Sequence, residues 1–183
     1  DLHRRRHSFP TRRSSDLPEN CILVDESLTT GRESMGLTAG ALPHTTIQNM
    51  GGSIGYGTPV ATGAALACPD RRTFCMVGDG SAMYTIQSLW TQAREQLPVT
   101  TIIFANNTYN ILKLEFSNMG AGPAPGPRAL SMIDIDNPTI DWLAMARSMG
   151  VPGVRVETAE DFTQAMINST AAQGPLLIEV KLY

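Results

Sequence analysis

The stretch TFCMVGDGSAMY, residues 73–84, decides how this chain folds, and the stretch VTTIIFANNTYN, residues 99–110, repeats its logic. Thr73 to Val77 is a short apolar run of the kind buried in the middle of a sheet, and it stops at Gly78-Asp79-Gly80. Ala82 to Gln96 then carries Ile86, Leu89, Trp90 and Ala93 at spacings of three and four, which predicts one helix with those residues on its buried face. Pro98 ends that helix, and Val99 to Ala105, rich in β-branched residues, predicts a second central strand. Asn106 to Asn110 forms the turn after it.

Working outward, Cys21 to Val24 reads as a strand. DESLTTG (residues 25–31) reads as a turn, and Pro43 to Gly57 as a glycine-rich loop with special backbone needs. Thr58 to Cys68, small and apolar, predicts a helix packed closely on the sheet, and Ile111 to Phe116 opens another. Asn118 to Asp134, which includes GAGPAPGP, reads as a loop able to close over a site. Thr139 to Met149 and Ala159 to Ala172 read as helices, Val154 to Val156 and Leu176 to Val180 as strands. Strands alternating with helices predict an α/β fold: a mainly parallel sheet, helices on both faces, and right-handed crossovers. Such sheets bind ligands at the carboxyl ends of their strands, here after Val77 and after Ala105.

The chemistry at those two ends follows from residue type. The glycines around Asp79 let a ligand approach the backbone, and the helix start beyond them offers unpaired N–H groups that favour a phosphate. The Asp79 carboxylate by itself repels phosphate, and a divalent cation resolves the conflict. Mg²⁺ takes oxygen ligands and is commonly shared between carboxylates, carbonyls and phosphate oxygens. Asn106 lies 27 residues after Asp79, so a single crossover sets the two turns side by side, where Asn106 or Asn107 can supply a side-chain oxygen. No GxxxxGK[ST] loop occurs, and GGSIGYG (residues 51–57) lacks both the order of a GxGxxG fingerprint and a clear preceding strand.

Composition narrows the classes. With 183 residues, 42% of them hydrophobic, the chain can build one packed domain. The formal charge of −3 is unevenly spread. Five of the 14 Lys and Arg lie within residues 1–17, opposed there only by Asp1 and Asp16, so nine basic residues face 15 acidic ones in the rest. An acidic body argues against nucleic-acid binding. RRRHSFPTRRSSDL (residues 4–17) resembles translated sequencing adapter, so residues 1–17 are read as a non-native basic leader and residues 18–183 as the domain. No apolar run is long enough to span a bilayer. Cys21, Cys68 and Cys75 have no metal-ligand spacing and read as reduced cysteines of a cytoplasmic protein.

GDG followed 26 to 28 residues later by Asn resembles the signature of thiamine-diphosphate enzymes. The longer run from Gly51 to Leu112 resembles the C-terminal cofactor-binding domain of acetolactate synthase large subunits and of benzoylformate-decarboxylase-like enzymes. The resemblance extends from about Asn20 to Leu182 and implies thiamine diphosphate and Mg²⁺ as cofactors. It implies Asp79, the Asn106 side chain and the Thr108 carbonyl as metal ligands. Gly78, Gly80, Ser81, Leu28 and Thr29 would surround the diphosphate, with Met83 and Tyr109 near it and the thiazolium. Gly52, beside Ser53, would offer its carbonyl to the aminopyrimidine, and Ile54 would force the bent coenzyme conformation.

Other residues keep two readings or a plain one. Glu26 either faces the site or caps a helix start, Tyr84 and Trp90 read as helix packing, and His44 as a structural or surface residue. The resemblance further implies a 2-oxo acid substrate such as pyruvate, decarboxylated with or without carboligation. It implies an activating Glu on a pyrimidine-binding domain of a second subunit, and a homodimeric or homotetrameric parent enzyme. FAD would enter only through a middle domain. This polypeptide alone would then be inactive. A non-catalytic binding or assembly domain is the reading from another class.

Overall fold

The computed structural model describes residues 17–120, 122 and 125–182, so the basic leader, Leu17 apart, lies outside the described residues. Its strands are β1 (Ile22–Glu26), β2 (Thr45–Gln48), β3 (Thr73–Gly78), β4 (Val99–Ala105), β5 (Gly153–Val156) and β6 (Leu176–Lys181). They form one sheet in the order β2-β1-β3-β4-β6-β5, every pairing parallel. The helices are α1 (Ser34–Thr38), α2 (Gly57–Ala67), α3 (Asp79–Thr85), α4 (Ser88–Arg94), α5 (Asn110–Asn118), α6 (Pro127–Ile133), α7 (Trp142–Ser148) and α8 (Ala159–Thr170).

Strand alternation divides the core. Cys75, Val77, Ile103 and Leu177 point to one face, where Ala61, Ala65, Leu89 and Trp142 from α2, α4 and α7 cover them. Phe74, Met76, Ile102, Phe104 and Ile178 point to the other, against Phe162 and Met166 of α8. Both central strands are therefore buried on both sides, and they read as continuous apolar runs for that reason. Small residues set the spacing: α2 turns Gly57, Thr58, Ala61, Thr62 and Ala65 inward.

The structure departs most from the sequence reading in three places. Residues 45–48 form β2 within the stretch read as loop. TTIQ has no buried alternation to announce it, because it lies at the sheet edge and is built by pairing with β1. The expected Ala82–Gln96 helix is two helices, with the first starting at Asp79. At the break the Thr85 carbonyl accepts the Thr58 hydroxyl at 2.9 Å, while Leu89 and Trp90 N–H donate to Ile86 and Gln87 carbonyls, three residues back. The tightened turn rotates α4, so Leu89 and Gln92 are buried and Trp90 is exposed under the Arg94 guanidinium, 5.0 Å from its ring centroid. Finally, the loop expected over residues 118–134 contains α6, which starts with Pro127 at its first position, where a missing N–H costs nothing.

The strand order positions the site. From β1 the chain crosses to β2 on one side, whereas β3 and β4 lie on the other. The segments leaving β1 and β3 diverge and open a crevice at their carboxyl ends.

Candidate functional site

A cleft of about 260 Å³ fills that crevice. Three strand ends build its walls: Ser27 to Thr30 after β1, Gly78 to Ser81 after β3, and Asn106, Thr108 and Tyr109 after β4. Ile54 closes one side from the glycine loop, and Met132 comes from α6. The β1 segment turns through Leu28, whose φ of 48° puts a bulky residue in the left-handed region, an uncommon conformation that costs about 1–3 kcal/mol and gathers at ligand sites.

Asp79 is buried, at 2% exposure. One carboxylate oxygen accepts the Gly80 N–H at 2.8 Å, and the other accepts the Asn107 N–H at 2.6 Å. The two strand ends are thus joined directly, as their parallel register demands, with Gly78 opposite Phe104. Burial pushes the Asp79 carboxyl up to about 6, against the pull of those backbone N–H groups. A cation beside it would restore the ionised form.

Asn106 lines the cleft, and its Oδ1 accepts the Thr108 N–H at 3.1 Å. Asn107 does not line it; with φ of 55° it serves the turn through its backbone. The Thr108 carbonyl accepts the Asn110 N–H at 2.9 Å across Tyr109, an inverse γ-turn that leaves its second lone pair available. Among the described residues no group of three or more His, Cys, Asp and Glu is placed to hold a metal ion. A cation here would be held by one carboxylate with amide and carbonyl oxygens, a set that suits Mg²⁺ completed by phosphate oxygens.

One further observation fits a diphosphate. The Ser81 hydroxyl is buried and has no hydrogen-bond partner among the described residues. Gly80 lies directly beneath the Tyr109 ring, since a Cβ there would come within 2.5 Å of Tyr109 Cδ1. We expect Gly80→Ala to drive that ring from its place and lower stability by about 1–3 kcal/mol, the usual range for overpacking, measured by thermal or denaturant unfolding.

Of the residues singled out in the sequence, Leu28, Thr29, Ile54, Gly78, Asp79, Gly80, Ser81, Asn106, Thr108 and Tyr109 line one cleft. Gly52, Ser53 and Met83 do not. Gly52, at φ 73°, and Ser53 stand on the exposed glycine loop, and Met83 is 46% exposed on α3. The sequence reading missed Tyr84, which lines the cleft at 60% exposure and was read as packing. It also missed Met132, which no local signal connects to a site formed more than 20 residues earlier in the chain. His44 bonds the Leu42 carbonyl at 2.8 Å, away from the cleft.

Glu26, which had two readings, caps. Its buried carboxylate accepts the Gly55 N–H and, at 2.6 Å, the Gly57 N–H at the start of α2. Burial raises its pKa above the usual carboxylate range, opposed by those backbone bonds.

Comparison with known proteins agrees with this fold. The chain is 52% identical over 164 residues to the "Putative acetolactate synthase large subunit IlvX" of Mycobacterium tuberculosis H37Rv, covering 90% of this chain and 32% of that protein. It is 34% identical over 163 residues to benzoylformate decarboxylase of Pseudomonas aeruginosa, covering 89% of this chain and 29% of that protein. The thiamine diphosphate-dependent 4-hydroxybenzoylformate decarboxylase of Rhodococcus jostii RHA1 superimposes with a TM-score of 0.77 at 35% identity, over 94% of this chain and 32% of that one. The chain thus spans about a third of the length of the relatives it matches. Residues 33–180 match the model of the thiamine pyrophosphate enzyme C-terminal TPP binding domain, and the chain belongs to that family.

Proposed function

We propose that residues 18–183 form the diphosphate- and magnesium-binding domain of a larger enzyme that decarboxylates a 2-oxo acid and joins the product to a second carbonyl compound, as an acetolactate synthase does. The observation that carries this reading is the junction of two strand ends through the buried Asp79, bonded to the Asn107 N–H, in a cleft that Asn106 also lines and that holds the Ser81 hydroxyl, unpartnered among the described residues. In it, Asp79, Asn106 Oδ1 and the Thr108 carbonyl would hold Mg²⁺. The Ser81 hydroxyl and the Leu28–Thr29 turn hold the diphosphate. Tyr109 and Ile54 shape the walls, and Gly52, on the exposed loop, would offer its carbonyl to the aminopyrimidine. When bound, thiamine diphosphate supplies an electron sink for the charge left as CO₂ departs. The chain's own contribution is orientation and the exclusion of water, effects that can supply several kcal/mol of a barrier.

The activating Glu comes, in this reading, from a pyrimidine-binding domain of a second subunit in a homodimer or homotetramer. Exposed Ile54, Met83, Tyr84 and Leu112, in and around the cleft, are the surface such a domain would cover. The chain alone therefore binds thiamine diphosphate weakly and does not turn over. Incubation of the chain with pyruvate, thiamine diphosphate and Mg²⁺ is expected to release no CO₂ above background, and measurable decarboxylation would overturn this division of labour. Simple decarboxylation of a benzoylformate-type acid is the second reading, favoured by the 35% identity to the Rhodococcus decarboxylase. Product analysis of the complete enzyme, aldehyde against acetohydroxy acid, separates the two.

A further inference from the structure

The turn carrying Asn106 and Thr108 is held from two directions. On the β3 side, Asp79 accepts the Asn107 N–H. On the other, the segment leaving α6 runs antiparallel along the turn: Tyr109 N–H donates to the Ile133 carbonyl and Ile135 N–H to the Asn107 carbonyl, each at 2.9 Å. Thr108 and Asp134 face each other across this isolated bridge as a pair that exchanges no backbone hydrogen bonds, the kind whose side chains approach most closely. The Thr108 hydroxyl donates to Asp134 Oδ1 at 2.7 Å. The same oxygen lies 2.6 Å from Lys113 Nζ on α5. One carboxylate oxygen therefore joins the turn, the helix that follows it and the end of α6.

This pair contributes little as a salt bridge, because its side chains are 32% and 31% exposed. Its effect is on direction. The backbone bonds to the 133–135 segment fall on Asn107 and Tyr109, whereas the Thr108 N–H and carbonyl are used inside the turn, by Asn106 Oδ1 and Asn110. The Thr108 side chain is thus the link from that residue to the neighbouring segment. We propose that Asp134, steadied by Lys113, is a positioning residue for the magnesium-binding turn: by holding the Thr108 hydroxyl it fixes the aim of the Thr108 carbonyl and of Asn106 Oδ1. The inference rests on the site proposed above, and it ties metal affinity to α6, which contributes no metal ligand.

The test is a Mg²⁺ titration of the full chain at fixed thiamine diphosphate, followed by amide NMR shifts, which read weak binding. Asp134→Ala and Thr108→Val are each expected to raise the half-saturating Mg²⁺ concentration about tenfold, the lower end for loss of a group that orients a metal ligand. The double variant should be no weaker than either single one, since both remove the same contact. Thr108→Ser keeps the hydroxyl and should titrate like wild type, and unfolding midpoints should stay near the wild-type value. Wild-type Mg²⁺ affinity in Asp134→Ala, with Asp79→Ala unable to bind, would overturn this inference and leave the site standing. Thr108→Ser as weak as Thr108→Val would also overturn it. Undiminished binding in Asp79→Ala, or none in wild type, would remove the site itself and this inference with it.

Discussion

Asp79→Ala is expected to abolish magnesium-dependent binding of thiamine diphosphate, a loss of at least about a hundredfold, because a direct ligand should cost more than the tenfold to hundredfold typical of groups behind it. The reasoning starts from burial. At 2% exposure the carboxylate has little water, and its hydrogen bonds in the structure come from the Gly80 and Asn107 N–H groups. Two neutral donors do not offset the cost of burying a full charge, and the raised pKa, about 6, records the deficit. A divalent cation removes it, so binding and ionisation support each other. Alanine also strands two backbone donors. Asp79→Asn is therefore the more informative variant: it keeps an acceptor for the turn and loses the charge. Asparagine should fold and fail to bind. If it binds Mg²⁺ and thiamine diphosphate like wild type, the carboxylate is not the ligand.

The second large effect is on the fold. Glu26→Ala should destabilise the chain by about 3–5 kcal/mol, since it removes the acceptor of two buried N–H groups and each orphaned donor costs about 1–3 kcal/mol. Glu26→Gln retains one acceptor but turns an NH₂ group toward the other donor, so it should fall between alanine and wild type. Gly57 shows how tight the arrangement is: a Cβ there would come within 2.6 Å of Glu26 Oε2. The pH dependence has a definite sign. With its pKa raised by burial, folded Glu26 keeps a proton that the unfolded chain has already released. Stability from this group therefore falls as pH rises from the ordinary carboxylate range to the raised folded value, and Glu26→Gln should flatten that slope. Denaturant midpoints at constant m-value, measured across that range, check both statements. Equal midpoints for wild type and alanine would show that water, not Glu26, satisfies those donors.

The fold was legible wherever one strand carried enough information alone. β3 and β4 are buried on both faces, so a largely apolar run and a β-branched run, set between glycine and proline breaks, were sufficient to locate them. The adjacency of Asp79 and Asn106 was legible for the same reason, because a parallel crossover of that length leaves little choice of neighbour. β2 was not legible, since its four residues form a strand only by being offered the edge of β1. The break between α3 and α4 was not legible either: there a threonine on α2 bonds the Thr85 carbonyl, a contact from 27 residues away, and α4 buries Leu89 and Gln92. The family resemblance supplied names for site residues that spacing alone left open, such as Asn106 over Asn107.

The sequence by itself determined the parallel α/β architecture, the two strand ends that wall the cleft, and the residue types there from which the proposed cation and diphosphate site is argued. Tertiary structure alone decided that Glu26 caps α2 and does not face the cleft, that Tyr84 and Met132 join the cleft wall, and that Asp134 grips Thr108. The physical reason is range. Periodicity and turn chemistry are written in contiguous residues, whereas the Glu26–Gly57 and Asp134–Thr108 contacts join residues 31 and 26 positions apart and depend on how helices settle against the sheet, which no local pattern records.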